Sequence, residues 1–433
     1  MTGRRKHRRR EKLHITPPAG DRQSQWPCLL SNIAVAVSPL RNLTGDTNHN
    51  VIAEVFTEGL VSSLRRRGRG FSLQRVASES DTSVDSIGVV EPPIRYLIAG
   101  SAQRGDPGGL RINIRITDAS TSEYLWARRY EFKLEEAGSI QARMIRRISR
   151  ELHLLLLRDE IRRAAQAFDT EPDPQECLAS AVLALKGGLR REPAAEAQRW
   201  FLAALAGDPR NVDALVGFSR TCQELVSNPW WSDPATVAVA SDLGREVIAI
   251  ALELTPGHAC ALNVQGMLYS AAGELHEAEH AFERALAMDQ RLATAHSFAG
   301  YNAAFLDRAN QTLPAIERAM RIDRAERRHS IWFFFAGFSE LLLGRAEASV
   351  ALLRQSLERN PSYGSARLFL IAALSLSSQR GEAARCAASF QKMYPCYPAS
   401  AFEQLWVSRS ASATYRTQIL PLFQRIREFG VAT

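Results

Sequence analysis

Ala259-CALNVQGMLYSAAGELHEAEHAFERALAMDQ-Arg291 reads as two helices joined by a turn. Leu262, Gly266 and Tyr269 share a face of the first helix, and Ala278, Phe282 and Ala285 share a face of the second, because residues three and four apart lie one above the other. Gly273 supplies the turn between them. Small side chains at Gly266 and Ala278 let two antiparallel helices approach, and Tyr269 and Phe282 fill the space beside them.

The same arrangement recurs along the chain. Short closing segments end at Pro209, Pro256, Gln290, Arg324, Pro361 and Pro395, so successive ends lie 47, 34, 34, 37 and 34 residues apart. Gly300, Ile316 and Ala319 repeat the pattern in the next unit, and Gly337, Gly344, Leu353 and Ser356 in the one after. The last unit has Phe390 where a small residue is expected, as an atypical terminal repeat would. A helix–turn–helix period of 34 residues resembles the tetratricopeptide repeat. Residues 175–400 are therefore expected to form a solenoid of about six helix pairs, which must stack because no pair buries its apolar face alone. A generic helical bundle would not need matching residue classes at matching heights. The 47-residue interval implies a turn-rich insertion at Ser227 to Thr236. Residues 401–433 are expected to cap the solenoid with a helix over Tyr415 to Phe429, kinked or broken at Pro421.

Ahead of the repeats the periodicity changes to two. Ile33–Val37, Phe71–Val76, Tyr96–Gly100, Leu110–Thr117 and Leu125–Phe132 read as strands, and Leu110-Arg-Ile-Asn-Ile-Arg-Ile alternates as a half-buried strand should. Asn50 to Arg67 reads as a helix with Val55, Phe56, Leu60 and Leu64 on an apolar stripe. Gly105-Asp-Pro-Gly-Gly109 reads as a hairpin turn. The expected fold class is α+β: a small α/β sandwich at 30–133, a connecting helix at 134–170, and the all-α solenoid.

Ile33-Ala-Val-Ala-Val, Asn42-Leu-Thr-Gly-Asp46, Phe56-Thr-Glu-Gly-Leu60, Tyr96-Leu-Ile-Ala-Gly-Ser101, Arg111-Ile-Asn-Ile-Arg-Ile-Thr-Asp-Ala119 and Leu125-Trp-Ala-Arg-Arg-Tyr130 together resemble the TolB-like amino-terminal domain. That domain precedes tetratricopeptide repeats in bacterial signalling proteins, among them winged-helix regulators of the CadC type and class III adenylate cyclases. The resemblance covers about residues 30–400. It implies a regulatory setting. Those relatives carry a winged helix or a cyclase domain in front of this region, where this sequence has about 29 residues. Their output activity is therefore not expected here.

The formal charge of +8 is unevenly placed. Residues 1–25 hold eight Lys/Arg against Glu11 and Asp21, a net +6, leaving +2 for the rest. The high pI thus belongs to the tail rather than to a basic face of the folded body. Arg4, Arg5, Lys6, Arg8, Arg9 and Arg10 could grip nucleic-acid phosphates without sequence preference, giving an alternative reading as a DNA-contacting transcriptional regulator. The plainer expectation for residues 1–29 is a solvated, disordered tail. Six scattered cysteines without a C-x-x-C pair point away from zinc and redox sites and fit a reduced cytoplasm. No apolar run reaches the ~18–20 residues of a membrane span.

His276-Glu-Ala-Glu-His280 satisfies H-E-x-x-H, the zinc-protease pattern. Ala278 and Phe282 mark the buried face of that helix, so His276 and His280 are expected to point outward. Gly-rich phosphate loops and nucleophile elbows are missing from the sequence. The expectation is a non-enzymatic scaffold without cofactor or metal, taking a protein partner in the solenoid groove. The inward positions of the first helices are Asn263, Met267, Ser297, Tyr301, Phe334 and Phe338. Tyr301, Phe334 and Phe338 are expected to anchor an apolar or amphipathic segment, unless Phe334 and Phe338 belong to the core between repeats.

Overall fold

The structure is a computed structural model that describes residues 33–67, 71–75, 94–105, 109–133, 145, 148–149, 152, 155–156, 173–186, 188–232, 234–324, 329–394 and 399–431. The Arg-rich tail, the 76–93 stretch, the tip of the 105–109 turn and most of the 134–170 helix lie outside the described residues.

Among the described residues the front unit is a sheet with one helix between its strands. β1 (Ile33–Val37), β2 (Arg41–Asn42), α1 (His49–Arg67), β3 (Phe71–Arg75), β4 (Ile94–Arg104), β5 (Gly109–Asp118) and β6 (Tyr124–Lys133) follow in order. The strands are arranged β3-β1-β4-β5-β6, with β2 beside β4. β1 lies parallel to β3 and β4, whereas β4, β5 and β6 form an antiparallel meander. The alternation in β5 is realised as burial of Ile112, Ile114 and Ile116, which share a core with Phe56, Leu60 and Leu64 of α1. Val55 differs from expectation and is half exposed. The buried stripe runs Ala53, Phe56, Leu60, Leu64, and a residue next to Phe56 in sequence is turned about 100° away from it. A Cβ at Gly59 would meet Ile145 Cδ1 at 2.5 Å, so the segment after the sheet packs directly on α1.

Six helix pairs follow: α2 (Pro174–Leu185) with α3 (Arg191–Gly207), α4 (Val212–Ser227) with α5 (Pro234–Leu254), α6 (Ala259–Ala271) with α7 (Leu275–Met288), α8 (Ala293–Phe305) with α9 (Thr312–Ile322), α10 (His329–Leu342) with α11 (Ala346–Arg359), and α12 (Gly364–Leu376) with α13 (Arg380–Met393). Close approach inside the pairs falls where the small residues stand. A Cβ at Gly266 would lie 2.7 Å from the Phe282 ring, and one at Gly337 would lie 2.8 Å from Leu353. Hydroxyls on second helices tie the same heights: Thr312 Oγ1 donates to the Gly300 carbonyl at 2.8 Å, and Ser349 Oγ to the Gly337 carbonyl at 2.7 Å.

The extra length of the 47-residue interval is divided between a 3₁₀ turn at Pro229–Trp231 and a 21-residue α5. That turn reaches across the molecule. Trp230 stacks on Phe402 with ring centroids 5.0 Å apart, and Asn360 Nδ2 donates to the Leu189 carbonyl at 3.0 Å. After the sixth pair come α14 (Ala399–Val407) and α15 (Ala413–Arg427), two helices where one cap was expected. α15 runs unbroken through Pro421. Its buried face, Ile419, Leu422, Phe423 and Ile426, lies on both sides of the proline, and that packing outweighs the lost N–H.

Candidate functional site

The first helices of the pairs, α4, α6, α8, α10 and α12, turn one face toward the inside of the solenoid. Asn263 on α6 donates through Nδ2 to Thr294 Oγ1 at 3.1 Å. Ser297 on α8 is buried and donates to the Thr294 carbonyl at 2.8 Å, so its hydroxyl is engaged within its own helix. Tyr301 lies four residues on and stacks on Phe335, centroids 3.8 Å apart at 11°. Phe334 and Phe338 lie 6.3 and 6.1 Å from Tyr301. The three aromatics expected from the sequence are therefore brought together, whereas Asn263 and Ser297 instead share Thr294.

This aromatic surface is not open. The C-terminal helices fold back onto it, and of the two readings given for Phe334 and Phe338 the structure has them in the core. Trp406 of α14 sits 4.9 Å from Phe338, 4.8 Å from Phe369 and 5.9 Å from Phe334. Tyr415 of α15 packs 5.4 Å from Phe305 and donates its hydroxyl to the Trp406 carbonyl at 2.9 Å. Ser412 Oγ donates to Asp307 Oδ2 at 2.6 Å, pinning the α14–α15 turn to the turn after α8. Between these contacts and those to one another, to Tyr301 and to Tyr363, Phe334, Phe338 and Phe369 are 1%, 0% and 0% exposed. The inside of the solenoid holds a helical hairpin of the same chain.

Between that hairpin and the first helices lies a cavity of about 50 Å³. Met267, Tyr301 and Phe334 line it, together with Trp332, Tyr363, Trp406 and Arg409. Burial pushes the Tyr301 and Tyr363 phenols above their ordinary range, against a smaller opposing pull from the Arg409 charge. Both phenols therefore stay protonated at any physiological pH. Trp406, Arg409, Phe305 and Phe369 escape the repeat pattern. The available signal is Phe402 and Trp406 four apart in Ala399–Val407, which gives α14 one aromatic face.

His276 and His280 lie outside this site, on the outer side of α7, with side chains 85% and 74% exposed. Glu279 between them is held by Arg308 at 2.6 Å. Across the described residues, no group of three or more potential metal ligands converges, and no helix is long and apolar enough to cross a membrane.

No family model matches the chain. A stretch of 259 residues is 27% identical to putative adenylate cyclase 3 of Rhizobium meliloti (strain 1021), covering 59% of this chain and 43% of that protein. The chain thus spans less than half the length of the curated relative it matches. Among solved structures it is similar to a thermophilic TPR protein of Thermus thermophilus, at 18% identity and a TM-score of 0.36 over 48% of this chain and 98% of that one. It is also similar to the APC/C hetero-tetramer Cut9–Hcn1, at 13% identity and a TM-score of 0.44 over 61% and 48%. The repeat period, the paired helices and the glycine approaches make residues 174–393 a tetratricopeptide-type solenoid.

Proposed function

We propose that the chain is a non-catalytic interaction scaffold in bacterial regulation, whose concave face holds its own C-terminal hairpin until a partner segment of like chemistry replaces it. The observation that carries this reading is the seating of Trp406 among Phe334, Phe338 and Phe369. An aromatic on a short helix, docked across the first helices of several repeats, is the way a helical ligand uses a groove. The partner then presents an amphipathic helix with two aromatics four residues apart, as Phe402 and Trp406 are. Once the hairpin is displaced, Tyr301, Phe334 and Phe338 are the anchors, with Asn263, Met267 and Ser297 beside them.

The regulatory setting is supported by the 259-residue similarity to a putative adenylate cyclase. It is also supported by the strand motifs between Ile33 and Tyr130, on which we assign the front sheet to the TolB-like class. In this division residues 30–133 form the front unit, 175–400 the repeats, and 401–433 the greater part of the groove's occupant.

The test is affinity capture on the full chain beside Trp406→Ala, after circular dichroism shows that the variant is folded. The variant is expected to recover more of a specific protein, and a peptide of residues 399–411 to compete it away. A folded variant whose recovery equals that of the parent chain, with no response to the peptide, counts against the scaffold reading.

A further inference from the structure

Arg409 follows α14 in the turn toward α15, and only 5% of it is exposed. Its Nε has no hydrogen-bond partner among the described residues. What the guanidinium meets instead are ring faces, Trp406 at 5.7 Å and Phe305 at 6.0 Å. Both lie near the outer limit of a useful cation–π contact. A buried charge normally has a counter-charge or a full set of hydrogen bonds, because losing its water costs more than ring faces return. Among the described residues Arg409 has no counter-charge and its Nε is left unmet, and it lines the cavity between the hairpin and the first helices.

The rest of the lining says what would suit that cavity. Its charged groups among the described residues are Arg220, Glu224 and Arg409, a sum of +1. Arg220 and Glu224 lie four apart on α4 with Nε and Oε1 at 3.6 Å, so they balance each other. The unbalanced charge is that of Arg409. Tyr301 and Tyr363 add neutral phenols, and Trp332, Phe335 and Trp406 supply flat apolar walls. A volume of about 50 Å³ corresponds to roughly four waters at about 10–15 Å³ each and is about a third of the ~150 Å³ that takes a benzene ring, so it has room for an acid of a few heavy atoms and not for an aromatic one.

We propose that this cavity is a binding site for a short aliphatic monocarboxylate, its carboxylate on the Arg409 guanidinium and its alkyl end between the aromatic walls. One planar fork matches one carboxylate. A dianion would bring a second negative charge that no further unbalanced cation of the lining meets. The ligand would touch both the C-terminal segment, through Arg409 and Trp406, and the repeats, through Tyr301 and Tyr363. Its binding therefore holds the hairpin in the groove. The site does not depend on the scaffold reading.

The experiment is titration of the full chain with sodium propionate, sodium benzoate and inorganic phosphate at constant ionic strength, followed by calorimetry and thermal melting. Propionate is expected to bind saturably and raise the melting temperature, whereas benzoate, too large for the cavity, and phosphate bind more weakly. Arg409→Met should melt at or above the parent temperature without ligand, since it removes a buried charge that has no counter-charge, and should bind propionate at least tenfold more weakly. Tyr363→Phe, which keeps the ring, should weaken propionate severalfold and serves as the test should Arg409→Met fail to fold. Absence of saturable propionate binding, equal binding by Arg409→Met, or by Tyr363→Phe where that variant stands in, or benzoate or phosphate binding tighter than propionate, overturns the proposal. A chain that binds propionate but captures no partner would keep this site and lose the scaffold reading. The converse result would do the opposite.

Discussion

Four turns place a left-handed residue at one height of the repeat: Gly273 at φ 79°, Asp307 at 61°, Gly344 at 74° and Ser378 at 61°. Glycine takes that conformation freely, whereas a side chain adds about 1–2 kcal/mol of strain. Part of that strain is offset by the greater freedom glycine has in the unfolded chain, so Ser378→Gly is expected to stabilise the protein by about 0.5–1 kcal/mol. A rise in the urea midpoint at constant slope would register it. Asp307→Gly is not expected to match this gain, because the Asp307 carboxylate accepts from Ser412 Oγ at 2.6 Å and fixes the C-terminal turn. A gain at Asp307 equal to that at Ser378 would mean the Ser412 contact contributes nothing. Gly273 and Gly344 were readable as turns because glycine announces the conformation. Asp307 and Ser378 hold the same geometry with residues that do not, and for Asp307 the second role lies 105 positions away.

At the scale of an element, α14 is nine residues long and carries both Phe402 and Trp406. Trp406 is buried against three phenylalanines of two first helices. Truncating a buried tryptophan costs about 3–5 kcal/mol, and here the loss should be local. Native-state hydrogen exchange on Trp406→Ala should show α14, α15 and the inner face of α12 losing protection, while α6 and α7 keep theirs. Uniform loss across all helices would mean that the hairpin is an inseparable part of the solenoid core and not a replaceable occupant. The helix pairs were legible in the sequence because their pattern recurs at 34 and 37 residues, and recurrence separates packing from chance. The hairpin was not. Phe402 and Trp406 make α14 amphipathic whether it stacks as another repeat or folds inside the curve, and one helix's periodicity does not distinguish the two. Register placed Tyr301, Phe334 and Phe338 on one face, where their rings do lie together, but part of their burial comes from a segment whose placement register does not determine.

At the scale of the whole molecule, an open solenoid is held only by contacts between neighbouring repeats, and its parts can unfold separately. This chain adds contacts that skip repeats. Asn360 reaches the Leu189 carbonyl across 171 residues, Trp230 stacks on Phe402, and a Cβ at Gly364 would lie 3.1 Å from the Trp230 ring. Such links tie the first two pairs to the last two, and they should make unfolding more cooperative than a linear array allows. They also explain why the hairpin stays inside, since Phe402 is gripped from the far side of the curve by the 229–231 turn. The double variant Trp230→Ala, Asn360→Ala removes both bridges, together with the Trp230 packing on the late core and the bonds by which Asn360 Oδ1 holds Ser362 in the α11–α12 turn. It is expected to enlarge the radius of gyration seen by small-angle scattering and to split urea unfolding into two phases, with the early pairs separating from the late ones. An unchanged scattering curve with one sharp transition would place the cooperativity in the neighbour contacts alone, and the hairpin would then be retained by its own burial rather than by closure of the ring.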